Sequence, residues 1–270
     1  MRAIRGSGGI PLLRSALVIS HPGHELLIHH WLETSQPTIF VLSAGADDNS
    51  ALAESVETIY NTHSKIGKCF GVFSDQEIEN QLMNHNEAWV LELVETLSDE
   101  WMQSEIDLVV GDAAEGVDPI HDFCRLVIDG AVRRLAYRYN HHVANYDFAI
   151  THHPNSCSPL QSVQLLQMAL NADDWQRKRA AILQHRSMHL EFLQLFQQFG
   201  ENVFQMEYLR PVIGDSFGWS YNPQRLRTLY SRLDEFGNPS LPRIRFEEHL
   251  LPLINLIDEA YPIWNQNQAA

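Results

Sequence analysis

The sequence is poor in cysteine, and no signal peptide is expected from its first residues. Its three cysteines, Cys69, Cys124 and Cys157, are widely spaced and form no CxxC pair. An odd number of isolated thiols does not suit a disulfide framework or a cysteine-ligated metal, and it favours reduced thiols in a cytoplasmic protein. Near the N-terminus, glycine and proline in residues 6–11 interrupt the chain before any continuous apolar run, so the segment does not resemble a signal peptide.

Positive charge and long apolar runs are also scarce. The 19 Lys and Arg stand against 34 Asp and Glu, which gives a formal net charge of −15 with neutral histidine. Because nucleic-acid binding draws on clustered Lys and Arg, this balance opposes it. The longest apolar stretches, residues 15–20 and 106–111, fall far short of the roughly 20 residues that span a bilayer, so no membrane insertion is expected. We expect a soluble protein with a small-molecule substrate. The sequence is compatible with a monomer and with an oligomer.

Apolar runs of strand length alternate with segments of helical periodicity in the first part of the chain. The strand candidates are residues 14–20, 37–43, 68–72, 106–111 and 145–151. The helix candidates are residues 25–33, 50–65, 75–83, 86–103 and 122–140. Strands that are apolar almost throughout suit a parallel sheet covered on both faces. We therefore predict an α/β fold with a Rossmann-like, mostly parallel sheet of about five strands, flanked by helices, over residues 10–155.

A largely helical C-terminal region, residues 156–270, is predicted to pack on this domain. Residues 173–199 carry apolar side chains at spacings of three and four, which predicts one helix, and residues 246–261 resemble a last helix. Irregular structure is expected over residues 208–242, which are richer in Gly, Pro and aromatic side chains. His185 and His189 lack the Glu of an HExxH motif, so we interpret them as part of a solvated helix face.

Two histidines follow the first strand in the sequence HPGHE. His21 stands at the strand end and His24 at the mouth of a helix. In open α/β sheets ligands bind beyond the carboxyl ends of the strands, and these two imidazoles can turn toward one point as a zinc chelate requires. Polar loop residues that bond a carbonyl or cap a helix would look the same in sequence.

An acidic loop with a third histidine follows the fourth strand. Asp112, Glu115 and Asp118 precede His121, which stands directly before a helix, as His24 does. A neighbouring strand would deliver this loop beside HPGHE, so His121 can supply a third nitrogen. Three protein ligands with an open position are the minimum for a catalytic zinc, although imidazole also accepts other divalent metals.

These motifs resemble the LmbE/PIG-L family of zinc-dependent N-deacetylases. The resemblance covers about residues 14–155, and its most specific part is VISHPGHE, which is similar to the family's AHPDDE. It implies that His21, His24 and His121 hold zinc, with His24 in place of an aspartate. Gly23 stands where the family has its catalytic base.

The resemblance implies a metal-dependent hydrolase of an N-acyl bond, in particular an N-acetyl bond, in a small metabolite or amino sugar. A third imidazole in place of a carboxylate makes the metal more positive and favours a metal-bound hydroxide. We therefore expect Gly23→Asp to raise activity only modestly. The alternative is a non-catalytic metal-binding or ligand-binding member of the same fold.

Three carboxylates are candidates for a replacement base: Asp112, Glu115 and Asp118. The sequence suits them equally as catalytic groups and as partners that orient the metal-bound histidines. Asp118 also stands where the family has a carbonyl-polarising histidine. His152 and His153, which follow the fifth strand, are candidates for that missing group.

Overall fold

The computed structural model describes residues 13–45, 50–156, 165–212, 226–230 and 244–262. Its strands are β1 (Ser15–Ile19), β2 (Thr38–Ser43), β3 (Lys65–Phe73), β4 (Leu108–Asp112), β5 (Ala144–Phe148), β6 (Leu166–Ala169) and β7 (Met206–Pro211). They form a seven-stranded sheet in the order β3-β2-β1-β4-β5-β7-β6. The first five strands pair in parallel, and β7 is antiparallel to both β5 and β6. The predicted α/β class with a mostly parallel sheet is confirmed.

Helices cover both faces of this sheet. They are a 3-10 helix His24–Ile28, α1 (His29–Ser35), α2 (Ser50–Asn61), α3 (Asp75–Met83), α4 (Glu87–Gln103), α5 (Pro119–Tyr139), α6 (Ala172–Gln184), α7 (His189–Phe199), a 3-10 helix Glu201–Gln205, a π-helical turn Phe246–Leu250 and α8 (Leu251–Ala260). Residues 226–230 are also helical. No helix of the described residues is long and apolar enough to cross a membrane.

Alternation of side chains along β1 divides the core into two layers. Ala16 and Val18 join a cluster with α4, α5 and α8, whereas Leu17 and Ile19 join a cluster with α1, α6 and α7. All five residues of β1 are buried, which is why the strand is apolar almost throughout. The apolar pattern thus makes β1 a strand that is covered on both faces, and its carboxyl end leads directly into HPGHE.

The C-terminal half differs from the expected pattern in two ways. The strands β6 and β7 were not predicted, and β7 occupies the start of the segment expected to be irregular; most of that segment, residues 213–225 and 231–243, lies outside the described residues. Buried charges interrupt the apolar pattern of β7, since Glu207 and Arg210 are ion-paired inside the protein. The proposed division into residues 10–155 and 156–270 stays a prediction.

The single helix expected over residues 173–199 is broken into α6 and α7. The break includes His185 and Met188, which are both buried and pack against Gly23. Our interpretation of His185 as a solvated residue was wrong, because its Nδ1 lies 3.1 Å from Glu54 Oε2 in the interior. Contacts with a distant loop therefore override the local helical periodicity.

Candidate metal centre

Three histidines converge at the carboxyl edge of the sheet. His21 lies in the loop after β1, His24 begins the 3-10 helix His24–Ile28, and His121 lies in the first turn of α5. One nitrogen of each ring lies within 4.8 Å of those of the other two. The ring centroids are 5.6 Å apart for His21 and His24, 5.1 Å for His21 and His121, and 4.8 Å for His24 and His121. The predicted cluster is thus brought together, whereas its role as a metal centre stays a prediction.

Asp112 fixes the orientation of His24. Its Oδ2 accepts a hydrogen bond from Nδ1 of His24 at 3.0 Å, and it also accepts from the backbone N (2.8 Å) and Oγ (2.5 Å) of Ser20. Burial would raise the pKa of Asp112, but the contacts with His24 and Ser20 outweigh it and lower the pKa to about 2. Because an ionised carboxylate only accepts, His24 donates through Nδ1, and the neutral form of its ring carries a lone pair on Nε2 for a metal.

Asp75 plays the corresponding part for His21, and the sequence analysis assigned it no role. Nε2 of His21 lies 2.9 Å from Oδ1 of Asp75, which also accepts from Oγ of Ser43. His21 therefore donates through Nε2 and keeps the lone pair on Nδ1. The proton of Ser20 Oγ is directed to Asp112, so it does not occupy that lone pair. The position of Asp75 directly after β3, at the same sheet edge, is the signal that was available in the sequence.

His121 carries an orphaned polar atom. Its Nδ1 is buried without a hydrogen-bonding partner among the described residues, and its Nε2 lies 3.9 Å from Oδ2 of Asp118. Burial and the neighbouring His24 lower the pKa of His121 to about 4, so the ring is neutral at physiological pH. A neutral imidazole with an unused nitrogen beside two other lone pairs fits a divalent metal.

The remaining predicted carboxylates have separate environments. Oδ1 of Asp118 accepts from the backbone N of Ile120 at 2.7 Å and caps α5, while its side chain is 39% exposed. Glu115 is buried and bonded to Thr151 and His152 in the loop after β5. Sequence reasoning had treated Asp112, Glu115 and Asp118 as equivalent. Of these three, only Asp112 is hydrogen-bonded to a histidine of the cluster.

No family model matches the chain, and no curated protein matches it. Among solved structures, the zinc-inhibited form of teicoplanin deacetylase Orf2 is similar with a TM-score of 0.52 and 14% identity, over 73% of this chain and 97% of that chain. The A40926 pseudoaglycone deacetylase Dbv21 is similar with a TM-score of 0.51 and 13% identity, over 74% of this chain and 97% of that chain. The chain shares the fold of these deacetylases. At this level of identity the likeness concerns the fold alone.

Within that fold, the surroundings of Gly23 leave no space for a side chain. Its φ of +96° lies in the left-handed region, and its N–H donates to Glu25 Oε2 at 2.7 Å and to Ser55 Oγ at 3.0 Å. A Cβ at this position would lie 2.2 Å from Cγ of Met188 and 3.1 Å from Cε1 of His185. The structure therefore replaces the expected modest gain from Gly23→Asp with an expected loss of stability.

Gly23→Ala is expected to lower the free energy of unfolding by about 1–3 kcal/mol, because the added methyl group overpacks against Met188 in a left-handed backbone. Urea unfolding followed by circular dichroism measures the change. Gly45→Ala is the control, since Gly45 has φ +92° but no described atom within 4 Å of its Cβ position. Equal losses for the two variants would show that packing against Met188 contributes nothing.

Two other groups of histidines and carboxylates occur among the described residues. In the group of His85, Glu248 and His249, Nδ1 of His249 accepts from the backbone N of Arg245 at 2.8 Å, so the neutral ring carries its proton on Nε2 and lacks a free lone pair.

In the group of His30, Glu33 and Asp174, the guanidinium of Arg177 already bonds both carboxylates, at 2.6 Å and 2.7 Å. A cation thus already balances their charge. Neither group contains three histidines, whereas the cluster at the sheet edge does.

Proposed function

We propose that this protein is a divalent-metal-dependent hydrolase of an N-acyl bond, with zinc as the expected metal. The single observation that carries the proposal is the donor set at the sheet edge: His21, His24 and His121 each keep a nitrogen lone pair. Asp75 and Asp112 hold the opposite nitrogens of the first two rings. Carboxylate-backed imidazoles are typical of metal-ligating histidines. The shared fold of teicoplanin and A40926 deacetylases and the resemblance of HPGHE to the LmbE/PIG-L motif support deacetylation in particular.

The substrate class is an N-acetylated amino sugar or a related small metabolite. One of the similar structures is a complex of that deacetylase with teicoplanin, a small-molecule ligand bound by the same fold in another protein. When bound, a divalent cation supplies Lewis-acid activation of water and of the scissile carbonyl. Everything else in the reaction falls to side chains of this chain.

Asp118 is the carboxylate best placed to accept the proton of the attacking water. Its Oδ2 lies 3.9 Å from Nε2 of His121, its side chain is 39% exposed, and only Oδ1 is used in capping α5. Asp112 is fully buried and bonded to His24, so we assign it a positioning role. Glu115 is bonded into the loop after β5 and also acts through another residue. The three carboxylates of the acidic loop thus take different parts.

Release of acetate from a panel of N-acetylated amino sugars tests this function. We expect turnover that is lost on chelation and restored by added Zn²⁺, because the three histidines need a metal for activity. Asp118→Asn is expected to lower kcat by about 10²–10⁴ without loss of metal, the usual scale for a general base.

Turnover that persists after complete metal removal would contradict the proposal.

A non-catalytic binding protein is the second candidate, favoured by Gly23 at the position of the family's base. It predicts that the panel yields no acetate while sugars raise the melting temperature of the metal-loaded protein.

A further inference from the structure

A second histidine–carboxylate pair lies at the carboxyl end of β5. Nδ1 of His152 is 3.0 Å from Oε1 of Glu115, and the side chain of His152 is 36% exposed whereas that of Glu115 is 5% exposed. The carboxylate accepts, so His152 donates through Nδ1 and its Nε2 is left for another partner. A buried carboxylate that holds one nitrogen of a partly exposed imidazole is the arrangement of an oriented acid–base group.

Glu115 also fixes the backbone that carries His152. Its Oε2 accepts from the backbone N and from Oγ1 of Thr151, both at 2.7 Å, and from the backbone N of Ile150 at 3.3 Å. Burial would raise the pKa of Glu115, but the bonds from His152 and Thr151 outweigh burial and lower it. Glu115 is therefore ionised at neutral pH and presents a negative charge to Nδ1 of His152.

The pair lies on the same sheet edge as the metal centre. The parallel strands β4 and β5 are in register up to Asp112 and Phe148, and the backbone N of Ala113 donates to the carbonyl of Phe148 at 3.1 Å. The loop that begins at Ala113 carries Glu115 and leads into α5 with His121. One loop thus connects the three-histidine cluster to His152.

We propose that His152, as an imidazolium held by Glu115, protonates the leaving nitrogen when the acyl bond breaks. This inference rests on the proposed function and supplies a step that it lacks, because an amine anion is too basic to leave unprotonated. Gly23 has no side chain to deliver this proton, and Asp118 is occupied with the proton of water.

The proton balance is complete with these two groups. The oxygen of water forms a bond to the carbonyl carbon as one of its protons passes to Asp118. The C–N bond then breaks, its electron pair stays on nitrogen, and the nitrogen takes the proton from Nε2 of His152. The products are the carboxylic acid and the amine. Asp118 then releases a proton to solvent and His152 takes one up, which restores both groups.

The neighbouring histidine provides a matched control. His153 packs its ring against Phe199, with centroids 5.4 Å apart, and its Nδ1 accepts from the backbone N of Asn155 at 3.1 Å. It shares the loop and the residue type of His152 but has no carboxylate partner in the part of the chain that the structure describes. An effect of loop disturbance should therefore appear in both variants, whereas loss of a proton donor should appear only in one.

The test compares His152→Ala and His153→Ala in the metal-loaded protein, with the N-acetylated sugar that the wild type hydrolyses. We expect His152→Ala to lower kcat by about 10²–10⁴ at unchanged metal content. Added imidazole should restore part of this loss, because a free imidazolium can replace the missing donor. His153→Ala is expected to keep the wild-type kcat. Imidazole added to the wild type controls for its binding to the metal.

Two results would overturn the inference while leaving the proposed function intact. One is a wild-type kcat for His152→Ala, and the other is a loss that imidazole does not restore, which would indicate a structural role for the side chain. A wild type without any chelator-sensitive turnover refutes the proposed function instead, and the role of His152 falls with it.

Discussion

Replacing His24 by asparagine is expected to leave the metal centre without bound metal and to abolish hydrolysis. The amide nitrogen of asparagine can take the place of Nδ1 and keep the hydrogen bond to Asp112, while Nε2 is lost. Two imidazoles then remain, which is fewer than the three ligands of catalytic zinc sites. The bound metal is expected to fall from about one equivalent to none.

Asp112→Asn separates orientation of the ligand from ligation itself. All three ligand nitrogens remain, but the charge behind His24 is removed. The expected result is a metal affinity about 10–100-fold weaker, as for other partners of metal-bound histidines. Competition with a chromogenic chelator measures the affinity, and circular dichroism reports whether the buried substitution leaves the fold unchanged.

The matched control for both variants is His189→Ala, since His189 is exposed at the start of α7. Elemental analysis of protein purified without an affinity tag gives the metal content of each. If the wild type and His24→Asn carry the same substoichiometric metal, the three histidines do not form a metal centre.

Replacing Lys178 by methionine is expected to cost about 3–5 kcal/mol of stability, the scale for breaking a buried ion pair. Nζ of Lys178 is fully buried and donates to Oε1 of Glu207 at 2.9 Å and to the carbonyl of Leu27 at 2.6 Å. Without the ammonium group, the carboxylate of Glu207 loses its counter-charge in the interior. Urea unfolding measures the loss.

This ion pair also supports the 3-10 helix that begins at His24, because Lys178 donates to the carbonyl of Leu27 in that helix. α1 has no capping side chain of its own, and Glu207 of β7 accepts from the backbone N of His30 and of Trp31, both at 2.9 Å. Lys178 in α6 thus connects β7 to the short helices that follow HPGHE. We expect Lys178→Met to weaken metal binding as well, because it loosens this support.

Two further variants define the origin of the effect. Lys178→Met combined with Glu207→Gln should be more stable than Lys178→Met alone, since the amide oxygen still accepts from α1 without a buried charge. Arg179→Met is the matched control: its ion pair with Glu201 is exposed and should contribute less than about 1 kcal/mol. A loss for Lys178→Met no larger than for Arg179→Met would refute the role of the buried pair.

Part of the site was predictable because its signals are local. Each of β1, β2 and β4 is a short apolar run, and parallel strands place their carboxyl ends at one edge of the sheet. The sequence therefore determined the α/β fold and brought the loops with His21, His24 and His121 to that edge. The start of α5 was also encoded locally, through Asp118 as a capping residue followed by proline.

The tertiary structure alone decided which side chains these histidines contact. Asp112 contacts His24 at a separation of 88 residues in the sequence, and Asp75 contacts His21 at a separation of 54 residues. Contacts over such separations cannot be read from the spacing of apolar residues.

The same holds for Gly23, whose space is filled by Met188, and for Glu207, which caps α1 across 176 residues. Composition and periodicity predict local secondary structure and which face of each helix or strand is buried. The partners of buried polar groups are set by which loops and helices the completed fold brings together, so they appear only in three dimensions.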